Sequence, residues 1–387
     1  MTTFDVAIIG AGASGLFCAN NLNENLKIAL IEKEPRVGKK ILATGNGKCN
    51  LTNLNMSSNF FNQNIDKFLK RFDEKQTLQT FHNLGLLAYA DDEKRVYPLS
   101  NSANSVLDVL RLPLEEKQNL QLFLENKVES IVKKNDRYEL SLKNGEKLFS
   151  KNIIISTGNY DEKLLKSLDE KFIPFQKSLC ALNTKFPNKG LNGIRVDNVC
   201  AKLEMGENFF VEFGEILFKE NSISGILIFN LSAPMARVGD YNHKVVLDLL
   251  PTINDCELED ILNNRAKHLS GEHLLTGILH SALARNIIEK CDFDTKNIKK
   301  IVKTIKKYEI FTTSPVDNNQ VLSGGIDLKS LDDNLQSNQN KGLFFIGECV
   351  DVDGICGGYN LQWAWTSAKI VANFLNEKGG SYGYWTK

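Results

Sequence analysis

The chain has 387 residues, room for two or three domains and a sizeable core. Its 47 basic and 47 acidic side chains cancel, so no global field draws it to nucleic acid, an anionic membrane or an acidic partner. Eight cysteines, at 18, 49, 180, 200, 256, 291, 349 and 356, make no CxxC pair and no metal-like Cys/His spacing, which argues against a disulfide framework or a zinc module and for buried, reduced thiols.

The first segment, FDVAIIG, is strand-like from its start and leaves no room for a charged leader, so a soluble cytoplasmic protein is expected. Its apolar run ends at Gly10, and a second, 27–31, ends at Glu32. Between them SGLFCANNLNEN carries Leu16, Phe17, Ala19 and Leu22 roughly at helical spacing, which predicts a β-α-β unit with parallel strands. The turn inside it, Gly10-Ala11-Gly12-Ala13-Ser14-Gly15, is a GxGxxG. Its first glycine permits the tight turn, its second lets a pyrophosphate approach the backbone, and its third allows close helix–strand packing. The phosphates would meet the free N–H groups and positive end of the following helix. Glu32 stands where a carboxylate accepts bonds from the adenosine ribose hydroxyls, and an acid there disfavours a 2′-phosphate. FAD or NAD is therefore expected rather than NADP.

From 120 to 156 short strand-like runs follow, with a hairpin turn at Asn144-Gly145, ending in NIIISTG (152–158). The stretch 178–242 again reads as strands: CALNTKF, VCAKLEM, FFVEFGEILF and SGILIFNLS. Residues 251–308 read as helices, GLFFIGE (342–348) returns to a strand, and NLQWAWTSAKIVANFL follows as a helix. The longest uncharged runs, 221–236 and 354–368, fall short of the ~20 apolar residues of a membrane helix, so no membrane partner is expected. NIIISTG and GLFFIGECVD look like the paired strand–glycine segments with which flavoproteins complete an FAD site, with Asp351 placed for the ribityl or phosphate part. No second GxGxxG occurs past 158, so an NAD(P)H donor would dock transiently over the flavin.

Three blocks, EPRVGKKILATGNGKCNLTN (34–53), RVYPLSNSANSV (95–106) and GLFFIGECVDVDGICGGYNLQWAWTSA (342–368), resemble the signatures of the YhiN-like, or BaiN/RdsA-type, FAD-dependent oxidoreductases. That family is related to aminoacetone oxidase and to bile-acid dehydro-steroid reductases. The resemblance implies an α/β fold: a discontinuous glutathione-reductase-like Rossmann FAD-binding domain (1–178 and 321–387), an inserted β-barrel-like domain (179–250 and 309–320) and a small helical domain (251–308). It places Gly10, Gly12, Ala13, Ser14, Gly15, Glu32, Lys33, Lys40, Thr44, Gly45 and Asn50 at the FAD site. Val128 would present backbone to the adenine, and Thr157 and Gly158 would pass the phosphate end. Gly347, Glu348, Asp351, Gly358, Tyr359, Asn360 and Leu361 would complete the site. Departures from the family pattern are Asn46 and Lys48, NYDEKLLKSLD after Gly158, and Lys219-Glu220 where the family has a Thr-His pair.

Within GGYNLQWAW (357–365) the two glycines let backbone approach the flavin ring, and the amides of Asn360 and Leu361 lie at the positive end of a helix. Trp363 and Trp365 are expected to pack rather than stack. Cys49 reads as a small buried residue under the flavin, not a redox thiol. The five histidines make no nucleophile or metal constellation, so no catalytic residue and no metal is assigned. Arg95-Val96-Tyr97-Pro98 reads either as a cation and phenol facing the pocket or as a turn fixed by Pro98. The lysines of 294–309 read as the solvated side of an amphipathic helix. The expected activity is hydride transfer through flavin N5 for NAD(P)H-dependent reduction of a small organic substrate. The alternatives are an aminoacetone-like amine oxidase using dioxygen and, from another class, a flavin-bearing RNA-binding or RNA-modifying protein.

Overall fold

The computed structural model describes residues 3–158, 163–164, 167–316 and 321–381, with side chains to 378. The chain divides into two compact units, Met1–Phe175 with Leu322–Lys387, and Gln176–Val321.

The first unit is built on a seven-stranded sheet in the order Leu120–Phe123, Ile28–Ile31, Thr3–Ile9, Lys147–Ile155, Arg137–Leu142 and Val128–Lys134, with Leu343–Phe345 also pairing Lys147–Ile155. Thr3–Ile9 runs parallel to Ile28–Ile31 on one side and to Lys147–Ile155 on the other. Helices cover such strands on both faces, which is why Ile28–Ile31, Ile153–Ile155 and Leu343–Phe345 are unbroken apolar runs with almost no exposure. The antiparallel side carries the hairpin expected at Asn144-Gly145, with Gly145 at φ 86°. Helix Ala13–Asn21 follows the first strand, and the last helix, Tyr359–Ser381, shares its core, with Phe17 and Trp365 rings 5.2 Å apart. Lys117 Nζ donates to the carbonyls of Ala19 (2.8 Å) and Leu22 (2.6 Å), placing a cation at the negative end of the first helix.

The second unit contains a closed six-stranded barrel made of Leu182–Thr184, Ser222–Ser224, Asn208–Lys219, Arg195–Met205, Lys244–Asp248 and Tyr308–Pro315. Helices Asp255–Arg265, Ser281–Lys290 and Ile298–Lys306 bury their apolar faces in the same core as the barrel. One expectation fails here. SGILIFNLS was expected as a strand, yet Ile226–Val238 is a helix, entered through Gly225 at φ 105° and ended by Gly239 in the left-handed region. In the sequence Ile226, Leu227, Ile228 and Phe229 are apolar at every position, so this run has no period that separates a strand from a buried helix. The lysine-rich helix buries Ile298, Ile301, Val302 and Ile305. Lys306 reaches the carbonyls of Leu250 (2.9 Å) and Ile253 (2.7 Å), and Lys300 pairs with Asp292 (2.6 Å).

Among the described residues no helix is long and apolar enough to cross a membrane, and no cluster of His, Cys, Asp or Glu could hold a metal ion.

Candidate functional site

The glycine turn separates structural from permissive positions. Gly10 sits at φ 104°, and a Cβ there would lie 2.8 Å from the Ser156 carbonyl oxygen; a Cβ on Gly15 would lie 2.0 Å from the Gly10 carbonyl oxygen. Gly12 instead has an ordinary φ of −82° and nothing within 4 Å of where its Cβ would stand. It caps Ala13–Asn21 without a side chain, and no acid occupies the first turn. The first-turn amides, including those of Ala13 and Ser14, have no partner within the helix. Ser156 braces the turn from below, its hydroxyl donating to the carbonyls of Ile9 (2.9 Å) or Gly10 (2.7 Å).

Glu32 leaves the second strand and turns back on this loop. Its carboxylate accepts from the backbone N–H of Ala11 (2.8 Å) and of Glu34 (3.0 Å). Each oxygen keeps a second lone pair, so ribose hydroxyls can still be accepted. Lys33 beside it is exposed. The Asn126 N–H donates to the Glu32 carbonyl (3.0 Å), which sets the entry of Val128–Lys134 alongside; Val128 itself is buried and paired with Leu142. Asn126 Oδ1 is buried with no partner, a polar atom the sequence reading did not single out, because its position depends on contact with a strand ninety-odd residues earlier.

A second group of expected residues meets beyond the sheet. Lys40 Nζ lies 2.5 Å from Glu348 Oε2, while Glu348 Oε1 accepts the Leu322 N–H (3.0 Å). A Cβ on Gly158 would lie 2.7 Å from that carboxylate and 3.3 Å from Lys40 Nζ, so these three are neighbours. Thr157 Oγ1 is buried without a partner. Gly347, at φ 68°, packs where its Cβ would come within 2.5 Å of Ser14 Oγ, and its carbonyl accepts the Trp363 indole N–H (3.1 Å). NYDEKLLKSLD lies in part outside the described residues.

The loop 44–50 is conformationally demanding. Gly45, Asn46, Gly47 and Cys49 all have positive φ, between 54° and 82°. Asparagine tolerates the left-handed region better than most residues, so Asn46 suits its positive φ. Thr44 Oγ1 donates to the Ile41 carbonyl (2.7 Å) and Lys48 is exposed. Gly45 backs directly onto Asn50, its Cβ position being 2.7 Å from the Asn50 nitrogen and 3.5 Å from the Tyr97 ring. Asn50 Oδ1 is buried and unpartnered, 2.8 Å from where a Cβ of Gly358 would be.

The last helix starts against this loop. The Tyr359 side chain turns away to the Phe60 ring, centroids 4.7 Å apart, so only its backbone remains for a ligand. The Asn360 amide is spent on Gly354, donating to its carbonyl (2.8 Å) and accepting its N–H (3.0 Å). Leu361 is half-buried. Asp351 is buried, its carboxylate accepting the Gln63 amide (3.1 Å). Trp363 and Trp365 are both fully buried, and the Trp365 indole donates to the Leu51 carbonyl (2.9 Å). Gln362, not singled out by the sequence, ties the helix to Thr77 (2.9 Å) and Thr52 (2.6 Å). Arg95 lies on a strand, its guanidinium paired with Asp91 (2.7 Å) and Glu93 (2.6 Å). Burial raises the pKa of the Tyr97 phenol, and burial pushes the Cys49 thiol up to about 11, which suits a packing group rather than a redox thiol.

Open space over Gly12, an uncapped helix start and the orphaned oxygens Thr157 Oγ1 and Asn50 Oδ1 fit an extended dinucleotide bearing ring N–H donors. With the parallel sheet and inserted barrel, they define an FAD-dependent oxidoreductase. A family model, the HI0933-like protein Rossmann domain, matches residues 4–374, and the chain belongs to that family.

The chain is 29% identical to the 3-dehydro-bile acid delta(4,6)-reductase of Clostridium scindens, over 96% of this chain and 99% of that protein. It is 28% identical to the ribosomal RNA dihydrouridine synthase of Haemophilus influenzae, over 94% of this chain and 96% of that one. The Escherichia coli protein of the same name is 27% identical, over 97% and 98%. The fold is shared with E. coli quinol fumarate reductase FrdA, at TM-score 0.50 and 17% identity over 100% of this chain and 72% of that one. A flavocytochrome c3 fumarate reductase gives TM-score 0.50 and 14% identity over 98% and 79%.

Proposed function

We propose that the protein uses NAD(P)H to add hydrogen across a carbon–carbon double bond conjugated to a carbonyl in a small organic substrate, as an enzyme of the cytoplasm. The observation that carries this reading is the pair of names borne by its full-length relatives. A delta(4,6)-reductase and a dihydrouridine synthase, as named, both saturate a double bond. Bound FAD would supply hydride transfer at its N5.

The chain's own residues would bind and orient. The turn over Gly12 takes the pyrophosphate, and Glu32 takes the ribose hydroxyls. Thr157, Gly158, Gly347 and the Lys40–Glu348 pair flank the phosphate and ribityl end. The Asn50 side-chain oxygen accepts a ring N–H, and the amides of Asn360 and Leu361 turn the positive end of their helix toward the pyrimidine side. Trp363 and Trp365 hold that helix start in place.

A second reading, reduction of a base in RNA, is favoured by the two relatives named for ribosomal RNA. The balance of 47 basic and 47 acidic groups opposes it, since RNA binding usually shows a basic footprint. Chemically reduced, FAD-loaded protein mixed with a conjugated steroid dienone, with unmodified ribosomal RNA and with buffer alone, each anaerobically, and separately with aerated buffer, tests both. Reoxidation by the dienone, with one of its two double bonds saturated per flavin reoxidised, is the expected result. Reoxidation by RNA alone moves the assignment to the second reading, and reoxidation by dioxygen alone overturns both in favour of an oxidase.

A further inference from the structure

The barrel strand Asn208–Lys219 has one satisfied edge and one open edge. Along the first it pairs with Arg195–Met205 in a hairpin closed by Met205 and Asn208. Along the second it pairs only through Leu217–Lys219, with Ser222–Ser224. The Phe218 N–H donates to the Ile194 carbonyl (2.9 Å), so the even-numbered backbone groups face the hairpin partner. By the alternation of a strand, the N–H and C=O of Phe209, Val211 and Phe213 face outward, and among the described residues no strand pairs with them. The side chains of the same three residues stand on the outer surface of the barrel, 71%, 48% and 68% exposed. An open edge that is also apolar is a template for another strand.

We propose that this edge is the interface between two copies of the chain, paired antiparallel about a two-fold axis through Val211. The sequence around Val211 is self-complementary under that operation. Val211 meets itself, and Phe209 of each copy stands directly opposite Phe213 of the other, giving two aromatic cross-strand pairs. All three positions are those whose backbone groups point outward, so each opposed pair exchanges both of its hydrogen bonds. The cross-strand neighbours within one copy are Glu204 beside Phe209 and Lys202 beside Val211, one acid and one base, and the chain has no net charge to oppose self-association. A peptide strand of another protein would gain the backbone bonds but not the Phe–Phe matching.

Two phenylalanines per copy, each burying at most ~150–250 Å², fall short of the ~1,200 Å² of a standard interface. The dimer is therefore weak, with a Kd on the order of micromolar or above.

Sedimentation velocity of the full-length, FAD-loaded protein, over a series reaching high micromolar concentration, tests this. The natural chain should pass from monomer to dimer. Phe209→Lys with Phe213→Lys places like charges opposite one another and should weaken the dimer at least tenfold. Phe209→Lys with Phe213→Glu places each lysine opposite a glutamate and should keep it. Val211→Pro removes an N–H unused within the barrel and should also yield monomer. Flavin content and thermal unfolding, unchanged in the surface variants, show that the fold is kept. A natural chain that stays monomeric, a Lys/Lys variant that dimerises undiminished, or a Lys/Glu variant as weak as Lys/Lys would each overturn the proposal.

Discussion

The Cβ that Gly358 lacks would stand 2.8 Å from Asn50 Oδ1 and 2.5 Å from the Thr52 carbonyl oxygen, so two loops three hundred residues apart in sequence touch through a missing side chain. Gly358 also sits at φ 98°, outside the range of other residues. Gly358→Ala therefore combines backbone strain with overpacking, each ~1–3 kcal/mol. Thermal unfolding of the apoprotein should show a loss of about 2–4 kcal/mol. An unchanged melting temperature would mean that the two loops are not in contact.

Asn50→Ala should behave in the opposite way. Removing a buried oxygen that has no partner leaves apoprotein stability within about 1 kcal/mol of the natural chain, or raises it. If that oxygen accepts a ring N–H of FAD, its loss weakens FAD binding about tenfold. Fluorescence titration of apoprotein with FAD measures the second effect and calorimetry the first. A destabilised apoprotein with undiminished FAD affinity would assign Asn50 a purely structural role.

The three glycines of the turn should separate by the same logic. Gly12→Ala has open space and a permitted φ, so the apoprotein should fold with stability equal to or slightly above the natural chain. Its methyl group then occupies the approach of the pyrophosphate, and FAD affinity should fall by about a hundredfold, given the worth of charge-assisted hydrogen bonds. Gly10→Ala and Gly15→Ala place a Cβ 2.8 Å and 2.0 Å from backbone oxygens and should lower stability itself. Soluble yield and melting temperature of the three apoproteins distinguish the classes.

Local chemistry decided how much of this was legible beforehand. The β-α-β unit, its GxGxxG and Glu32 lie within thirty residues, and each carries its own signal of apolar run, glycine spacing or terminal acid. The junctions of the site are different. Lys40 finds Glu348 across 308 positions, and Asn126 is placed by contact with the end of the second strand, which no spacing reveals. Ile226–Val238 failed as a strand because the unbroken apolar run at its start carries no period that tells a helix from a strand. Asn46 looked like a departure, and becomes intelligible once its left-handed backbone is known.

Burial sets the pH response of Cys49, whose thiol is pushed up from 9.0 to about 11. The unfolded chain loses this proton near 9.0 while the folded chain keeps it to about 11. In that window the unfolded state binds fewer protons, so stability falls as pH rises, by on the order of 2 kcal/mol for this one group. Cys49→Ala should flatten the alkaline limb of the stability profile measured by urea unfolding. In the native protein at neutral pH, iodoacetamide should label the exposed Cys256 and spare Cys49. Rapid labelling of Cys49 would restore it as a reactive thiol.

The reductive half of the reaction distinguishes an NAD(P)H-driven reductase most directly. Purified protein loaded with FAD and mixed anaerobically with NADH or NADPH should lose its visible flavin absorbance rapidly with at least one of them, without a second dinucleotide-binding turn in the chain. Bleaching by dithionite but by neither nucleotide would contradict an NAD(P)H-driven reductase.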